Sequence, residues 1–346
     1  MNQQPETAVS LLRGPIRRWE PAISRHIWSW TRLAGGAAIL AVLVWRVGVG
    51  PLVDGLRLTT GWAVAAALAI TSLTTLCCAW RWRLIAGGLG VGMPLRTAVA
   101  AYYRSQFLNA TLPGGVVGDV HRAVRHGRDL GHLGRSLRAV AWERASGQAV
   151  QLFLTVGVLL LLPLRSGSLL LLVAFPVAVA VVAGVALVAV ALRLNPRRLP
   201  ARIARAVTTD LRDAVLARRA WPGILLASAV AVLGHAAMFL VAVRATGTDV
   251  PLDRLLPLAL VVLMASAVPT NIAGWGPREG AAAWAFGSVG LSAAAGVTVA
   301  VVYGLLALVA TLPGAIVLVV GRWRARDRAR TPTEAQPERV GSVVHG

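Results

Sequence analysis

Lysine is absent from this chain and acids are scarce. All 35 basic residues are arginine, set against 14 Asp and Glu, so the formal net charge is +21. Charged residues make up only 14% of the sequence, and cysteine occurs twice. Each shortage excludes something. With 14% charge, 56% hydrophobic residues and a mean hydropathy of +0.67, the chain is no soluble globular domain. The two cysteines, Cys77 and Cys78, are adjacent inside an apolar segment. Neighbouring side chains point to different faces of a helix, so neither a disulfide nor a metal site is suggested. No Walker loop, His/Glu metal-ligand helix, nucleophile elbow or dinucleotide fingerprint occurs. The expectation is therefore no enzyme, no ATP-driven pump and no cofactor. The arginines lie between apolar runs, so their natural counter-ions are anionic headgroups rather than nucleic acid.

What is present is a series of apolar runs, several longer than the roughly 18 residues that mark a spanning helix. The fold class expected is an all-α polytopic membrane protein. Residues 1–10 are polar and lead into no cleavable signal, so the first apolar run, near Leu33, is expected to be retained. Residues 1–32 read as a basic amphipathic lead-in; Trp19, Trp28 and Trp30 would lie at the cytoplasmic face. Residues 33–320 form the membrane domain, and 321–346 read as a disordered cytoplasmic tail.

Positive loops stay in the cytoplasm, and this orders the segments. Spans are expected at about 33–49, 61–80, 140–162, 168–192, 222–243 and 295–320. Residues 193–219 form a basic loop in which Ile203, Val207, Leu211 and Val215 recur every fourth position, the spacing of a surface-lying helix. Residues 97–118 are flanked by arginine on both sides: Arg81, Arg83 and Arg96 before, Arg122, Arg125 and Arg128 after. A segment with cytoplasmic charge at both ends dips in and returns. Residues 255–291 contain two helices too short to cross, joined by VPTNIAGWGPREG, and would dip from the opposite side. The expected architecture is about six full spans plus two re-entrant helical hairpins, eight helical membrane segments or more. They form an inverted-topology repeat with halves at about 33–163 and 168–320. Such repeats put the substrate site at mid-membrane, between discontinuous helices.

The candidate residues follow from that arrangement. In the first hairpin Tyr102, Gln106 and Asn109 share one helix face, while Arg104 lies on another. Pro113, Gly114 and Gly115 break the helix. N–H groups freed at the restart could bind anionic oxygen, and Asp119 and Arg122 could pair or cap that restart. The alternative is a structural turn with Asp119 as its cap. Glu143 and Arg144 lie inside the third long span, facing about 100° apart, and should pair with other helices. Arg81, Arg83 or Arg104 could supply the cation that Glu143 needs. In the second hairpin Pro269, Asn271, Gly274, Gly276 and Pro277 make the break, and Arg278 and Glu279 begin the return helix. Arg278 stands against the helix dipole there, which points to an anionic partner. His235, a lone histidine in an apolar span, reads as hydrogen-bonded to a neighbouring helix.

Arg81-Trp82-Arg83, the NATLPGGVVGDVHR run, Glu143-Arg144 with Gly147, and PTNIAGWGPREG together resemble the lysylphosphatidylglycerol synthase transmembrane region. This is the flippase-like membrane domain of multiple peptide resistance factors. The resemblance covers about residues 33–320. Its motifs fall on Asn109, Pro113, Gly114, Gly115, Asp119, Arg122, Glu143, Arg144, Pro269, Gly274, Gly276, Arg278 and Glu279. One departure is Gly274-Trp275-Gly276-Pro277, where many relatives have adjacent glycines before the second Arg-Glu. Full-length relatives add a cytoplasmic synthase domain. This chain ends soon after Val320, so synthase activity is not expected of it.

The resemblance implies a protein of the cytoplasmic membrane, both termini inside, that translocates an anionic or modified phospholipid between leaflets. The alternative is a non-transporting membrane partner or scaffold for a separately encoded lipid-modifying transferase. The expected partners are a phospholipid or lipid-linked headgroup and the membrane itself, with a transferase or a second copy of the chain as protein partners and no nucleic acid.

Overall fold

The computed structural model describes residues 57–58, 60–112, 115–161, 199–267 and 277–330. The expected spans at 33–49 and 168–192, the lead-in, the tail after 330, Pro113, Gly114 and residues 268–276 lie outside the described residues. Those described form helices and connecting turns, without strands. In chain order they are α1 (Gly61–Gly88), α2 (Leu95–Thr111), α3 (Val117–Leu130), α4 (Leu133–Leu161), α5 (Leu199–Asp210), α6 (Trp221–Ala245), α7 (Leu252–Ser266), α8 (Pro277–Ser288), α9 (Ala293–Thr311) and α10 (Pro313–Arg330). Four apolar stretches among them are long enough to cross a membrane: α1, α4, α6, and α9 continued into α10 as Ala293–Gly321.

Alanine, glycine and threonine bring α1 and α6 together. Gly223 faces Trp80 and Leu84, Gly234 faces Thr74, and Met238 meets Thr71. The numbering rises on one helix as it falls on the other, so the two run antiparallel. A Cβ on Gly234 would stand 2.3 Å from Thr74 Cγ2, so the helices touch at near-backbone distance. Small residues permit this kind of packing in a membrane, where apolar side chains gain little by leaving lipid.

Among the described residues the apolar interior has two main parts and a small third one, Val261 of α7 against Leu152, Val156 and Leu159 of α4. One of the main parts joins α6, α7, α8 and α9 and takes in Ala63 and Ala67 of α1; the other joins α1, α2, α3 and α4 and takes in Ala220, just before α6, and Ile224 and Ala231 of α6. The packing pairs correspond. Helix α2 lies on α3 as α7 lies on α8, and α3 on α4 as α8 on α9. Helix α1 touches α2, α4 and α9; correspondingly, α6 touches α7, α9 and α4. Helix α2 also touches α9, and α7 touches α4.

The short helices have different environments. Helix α7 has 15 residues and is buried from Leu255 to Ala265 apart from exposed Leu256. A helix apolar on every side belongs in the interior of the protein. Helix α3 is amphipathic, with Gly118, Asp119, Arg122, Ala123 and Gly127 buried. It ends at Gly131, whose φ of 68° lets His132 N–H close on Gly127 O at 2.9 Å.

Two expected elements differ in detail. The span at 295–320 is interrupted at Leu312: Pro313 lacks an N–H, so α10 starts anew and seats Gly314 against Tyr103 of α2. The helix expected through 203–215 ends at Asp210 and continues as a π-turn, Leu211–Val215. Ala214 of that turn presses on Gly88, and the Asp210 carboxylate accepts from Arg138 Nε at 2.7 Å and Trp142 Nε1 at 3.1 Å.

Candidate functional site

Helix α2 ends at Thr111, and α3 starts at Val117 after a turn through Gly115, whose φ is 59°. The two helices then fold closely together. A Cβ on Gly118 would lie 2.0 Å from Ser105 O, so only glycine fits there. Asn109 closes the break: its Oδ1 accepts the Gly118 N–H at 2.7 Å and its Nδ2 donates to Asp119 Oδ2 at 3.1 Å. The cap of the restart is therefore Asn109, reaching across from α2, and Asp119 is free to turn toward other helices. Of the N–H groups at the restart expected to be open to an anion, that of Gly118 is already taken.

Asp119 and Glu143 are the anionic centres of a buried network. Asp119 Oδ1 accepts from Ser105 Oγ at 3.0 Å and from Arg122 Nε at 3.0 Å, and its Oδ2 accepts from Arg144 Nη2 at 2.5 Å. Glu143 Oε1 accepts from Arg81, through Nε at 3.1 Å and through Nη2, and from Tyr102 Oη at 3.2 Å. Its Oε2 accepts from Arg122 Nη2 at 2.5 Å. Arg81 also donates to Ser228 Oγ of α6 at 2.9 Å. Three arginines meet two carboxylates, and five helices contribute. Glu143 is wholly inaccessible and Arg122 is 1% exposed. Unpaired, such charges would cost several kcal/mol each. Here every carboxylate oxygen has a cationic partner. As expected from the 100° offset, Glu143 and Arg144 bond to other helices rather than to each other. Gly147, one turn on, makes room for Arg81: a Cβ there would stand 2.8 Å from its guanidinium nitrogens.

The network opens on one side. A cavity of about 390 Å³ is lined by Gly115, Asp119, Arg144, Gln148 and the end of α7 at Ser266 and Ala267. The Arg144 side chain is 45% exposed while it holds Asp119. Glu143 does not reach this cavity; it sits behind, locking Arg81 and Arg122. Gln106 turns toward α1 and accepts from Thr75 Oγ1 at 2.8 Å.

The second Arg-acid pair has its own setting. Arg278 donates to Glu279 Oε1 through Nε at 2.9 Å and Nη2 at 2.6 Å, and its guanidinium lies 5.3 Å from the ring centre of Tyr303. Gly304 of α9 leaves the space for that guanidinium, as Gly147 of α4 does for Arg81. Tyr303 Oη is 3.2 Å from His235 Nδ1, which ties α9 to α6.

Of the candidate residues, Arg81, Asn109, Asp119, Arg122, Glu143 and Arg144 join one network, and Gly115 lines its cavity. Arg83 is exposed on another face of α1, and Arg104 is buried apart from the network. Neither supplies the cation for Glu143; Arg81 and Arg122 do. Pro113, Gly114, Pro269, Asn271, Gly274 and Gly276 lie outside the described residues. Sequence reasoning passed over Ser105 and Ser228. Ser105 lies three residues after Tyr102 and four before Asn109, a helical spacing that could have found it.

No curated protein and no solved structure matches the chain. A family model does match it over residues 29–314, which include every residue of the network and of the cavity. The chain belongs to the lysylphosphatidylglycerol synthase TM region family.

Proposed function

We propose that this membrane protein is a lipid flippase: it binds the anionic or modified headgroup of a phospholipid in the cavity beside Arg144 and carries it between leaflets. The observation that carries this reading is the position of the cavity. It lies where the break after α2 meets the end of α7, with a half-exposed guanidinium in its wall. At about 390 Å³ it suits a headgroup, while acyl chains remain in lipid.

The pattern of packing supports an inverted repeat. Exchanging α1, α2, α3 and α4 for α6, α7, α8 and α9 maps the α1–α6 pair onto itself and each other packing pair among these helices onto another. A two-fold operation that exchanges antiparallel helices has its axis perpendicular to them, which in a membrane means lying in its plane. In this reading α2–α3 and α7–α8 are re-entrant hairpins. The helices have 17, 14, 15 and 12 residues, short of the roughly 20 needed to cross. The protein sits in the cytoplasmic membrane with both termini inside. Arg144 engages the headgroup; Asp119 holds that guanidinium until the ligand arrives.

The test is headgroup translocation by the purified protein in vesicles, read by loss of accessibility of a labelled lipid. Wild type should move lipid, and Arg144→Gln should not. A folded wild type that moves no lipid would favour the scaffold reading, in which the chain only holds lipid for a separate transferase.

A further inference from the structure

On the other side of α3, away from that cavity, lies a second one of about 380 Å³ between α1, α2 and α3. Among the described residues, four arginines line it, Arg96, Arg104, Arg122 and Arg125, against a single acid, Asp129. Three buried N–H groups lining it have no hydrogen-bond partner among the described residues: Trp82 Nε1, Arg104 Nε and Arg122 Nη1. Their side chains are deeply enclosed, with Trp82 and Arg122 1% exposed and Arg104 8%. All three groups can only donate. Buried donors are normally paired, because an unmade hydrogen bond there forfeits the full cost of desolvation.

The donors are also held in position. The Arg122 guanidinium is fixed on its far side by Asp119 and Glu143 and stands 4.7 Å from the Trp82 ring centre and 4.5 Å from that of Tyr102. Rotation toward another partner would break these contacts. Among the described residues Arg104 forms no ion pair, although Asp129 lines the same cavity. Several fixed donors around a cationic space suit a ligand that only accepts, from several directions, and carries more than one negative charge. A carboxylate has two oxygens in one plane; a phosphoryl group presents three in a pyramid.

We infer that this cavity is a phosphoryl-binding site, separate from the cavity beside Arg144. Arg104 and Arg122 are its floor, and Arg96 and Arg125 its rim. The arginines at its rim mark its mouth as cytoplasmic. The phosphoryl group can belong to an inner-leaflet lipid headgroup or to a soluble cytoplasmic phosphate compound. The inference does not depend on transport, because binding alone tests it.

The experiment uses the full chain with two probes: pyrophosphate added to protein in neutral detergent, and phosphatidic acid in phosphatidylcholine nanodiscs. Binding is read by the ligand-induced rise in melting temperature and by titration calorimetry. A saturable effect of pyrophosphate supports a soluble source, and an effect of phosphatidic acid alone supports a headgroup. With either probe Arg125→Gln should weaken binding about tenfold, by loss of a charge-assisted contact, and Asp129→Asn should tighten it. Arg104→Gln should abolish the ligand effect yet raise the melting temperature without ligand, since it removes an unpaired buried cation. Arg125 and Asp129 are exposed, so those variants decide the matter even if Arg104→Gln fails to accumulate. Binding of neither probe would overturn the inference. So would binding that survives Arg104→Gln and Arg125→Gln but is lost in Arg144→Gln, which would move the anion to the other cavity.

Discussion

Arg144 and Glu143 are neighbours in sequence with opposite exposure, and their substitution should separate stability from function. Glu143→Ala would leave Arg81 and Arg122 buried without their shared carboxylate, at a cost of about 3–5 kcal/mol. Thermal unfolding in detergent should show a large drop, and replacing Arg81 and Glu143 together by Met should cost less than Glu143→Ala alone. Arg144 is half-exposed, so Arg144→Gln should lose only about 1 kcal/mol or less in the same assay. Lipid translocation should nonetheless disappear. A transport rate equal to wild type would remove Arg144 from the proposed headgroup site. Part of this network was legible in the chain: the i, i+3 spacing of Asp119 and Arg122 foretold their contact, and a buried Glu143 demanded a cation. Which arginine supplied it was not legible. Arg81 and Arg83 are two residues apart, about 200° around α1. That helix is apolar on every side, so hydropathy does not mark the face turned toward α4.

At the scale of elements, the α2–α3 turn depends on glycine at two points for different reasons. Gly115 needs its positive φ, and Gly118 needs the absence of a Cβ. Gly118→Ala should push α3 off Ser105 and cost about 1–3 kcal/mol or more, while Gly157→Ala in α4, with nothing within 4 Å, should be neutral or stabilising by up to about 1 kcal/mol. Melting temperatures of the two variants compare these directly. Equal effects would mean that the close approach at Gly118 contributes little. The break itself was readable from the Pro-Gly-Gly composition, but its closure by Asn109 was not. A cap that reaches back across a turn depends on how the two helices fold together, and residue order does not state that angle.

For the whole molecule, the proposed topology places Arg128 and Arg205 on one side of the membrane and Gly247 on the other. Single cysteines at these positions, in a background without Cys77 and Cys78, should react with an impermeant thiol reagent accordingly. Labelling of Arg205→Cys from outside only would overturn the orientation. The meeting of the two proposed hairpins has its own check. Val116 and Ala267 line the same cavity from distant parts of the chain, so Val116→Cys and Ala267→Cys should be joined by a short bismaleimide. Failure of that cross-link in folded protein would leave the cavity without its second wall.

Composition alone determined that this protein resides in a membrane, because a chain this apolar has no other way to hide its surface. Arginine placement supported an orientation, and the Pro, Gly and Asn clusters marked where helices break. These are local properties, carried by a few consecutive residues. The tertiary structure decided which charges neutralise one another, that Arg104 faces a different cavity from Arg144, and that the helices pack in corresponding pairs. Those outcomes depend on the rotation of each helix about its axis. In apolar helices no contrast between faces records that rotation, and only packing against neighbours sets it.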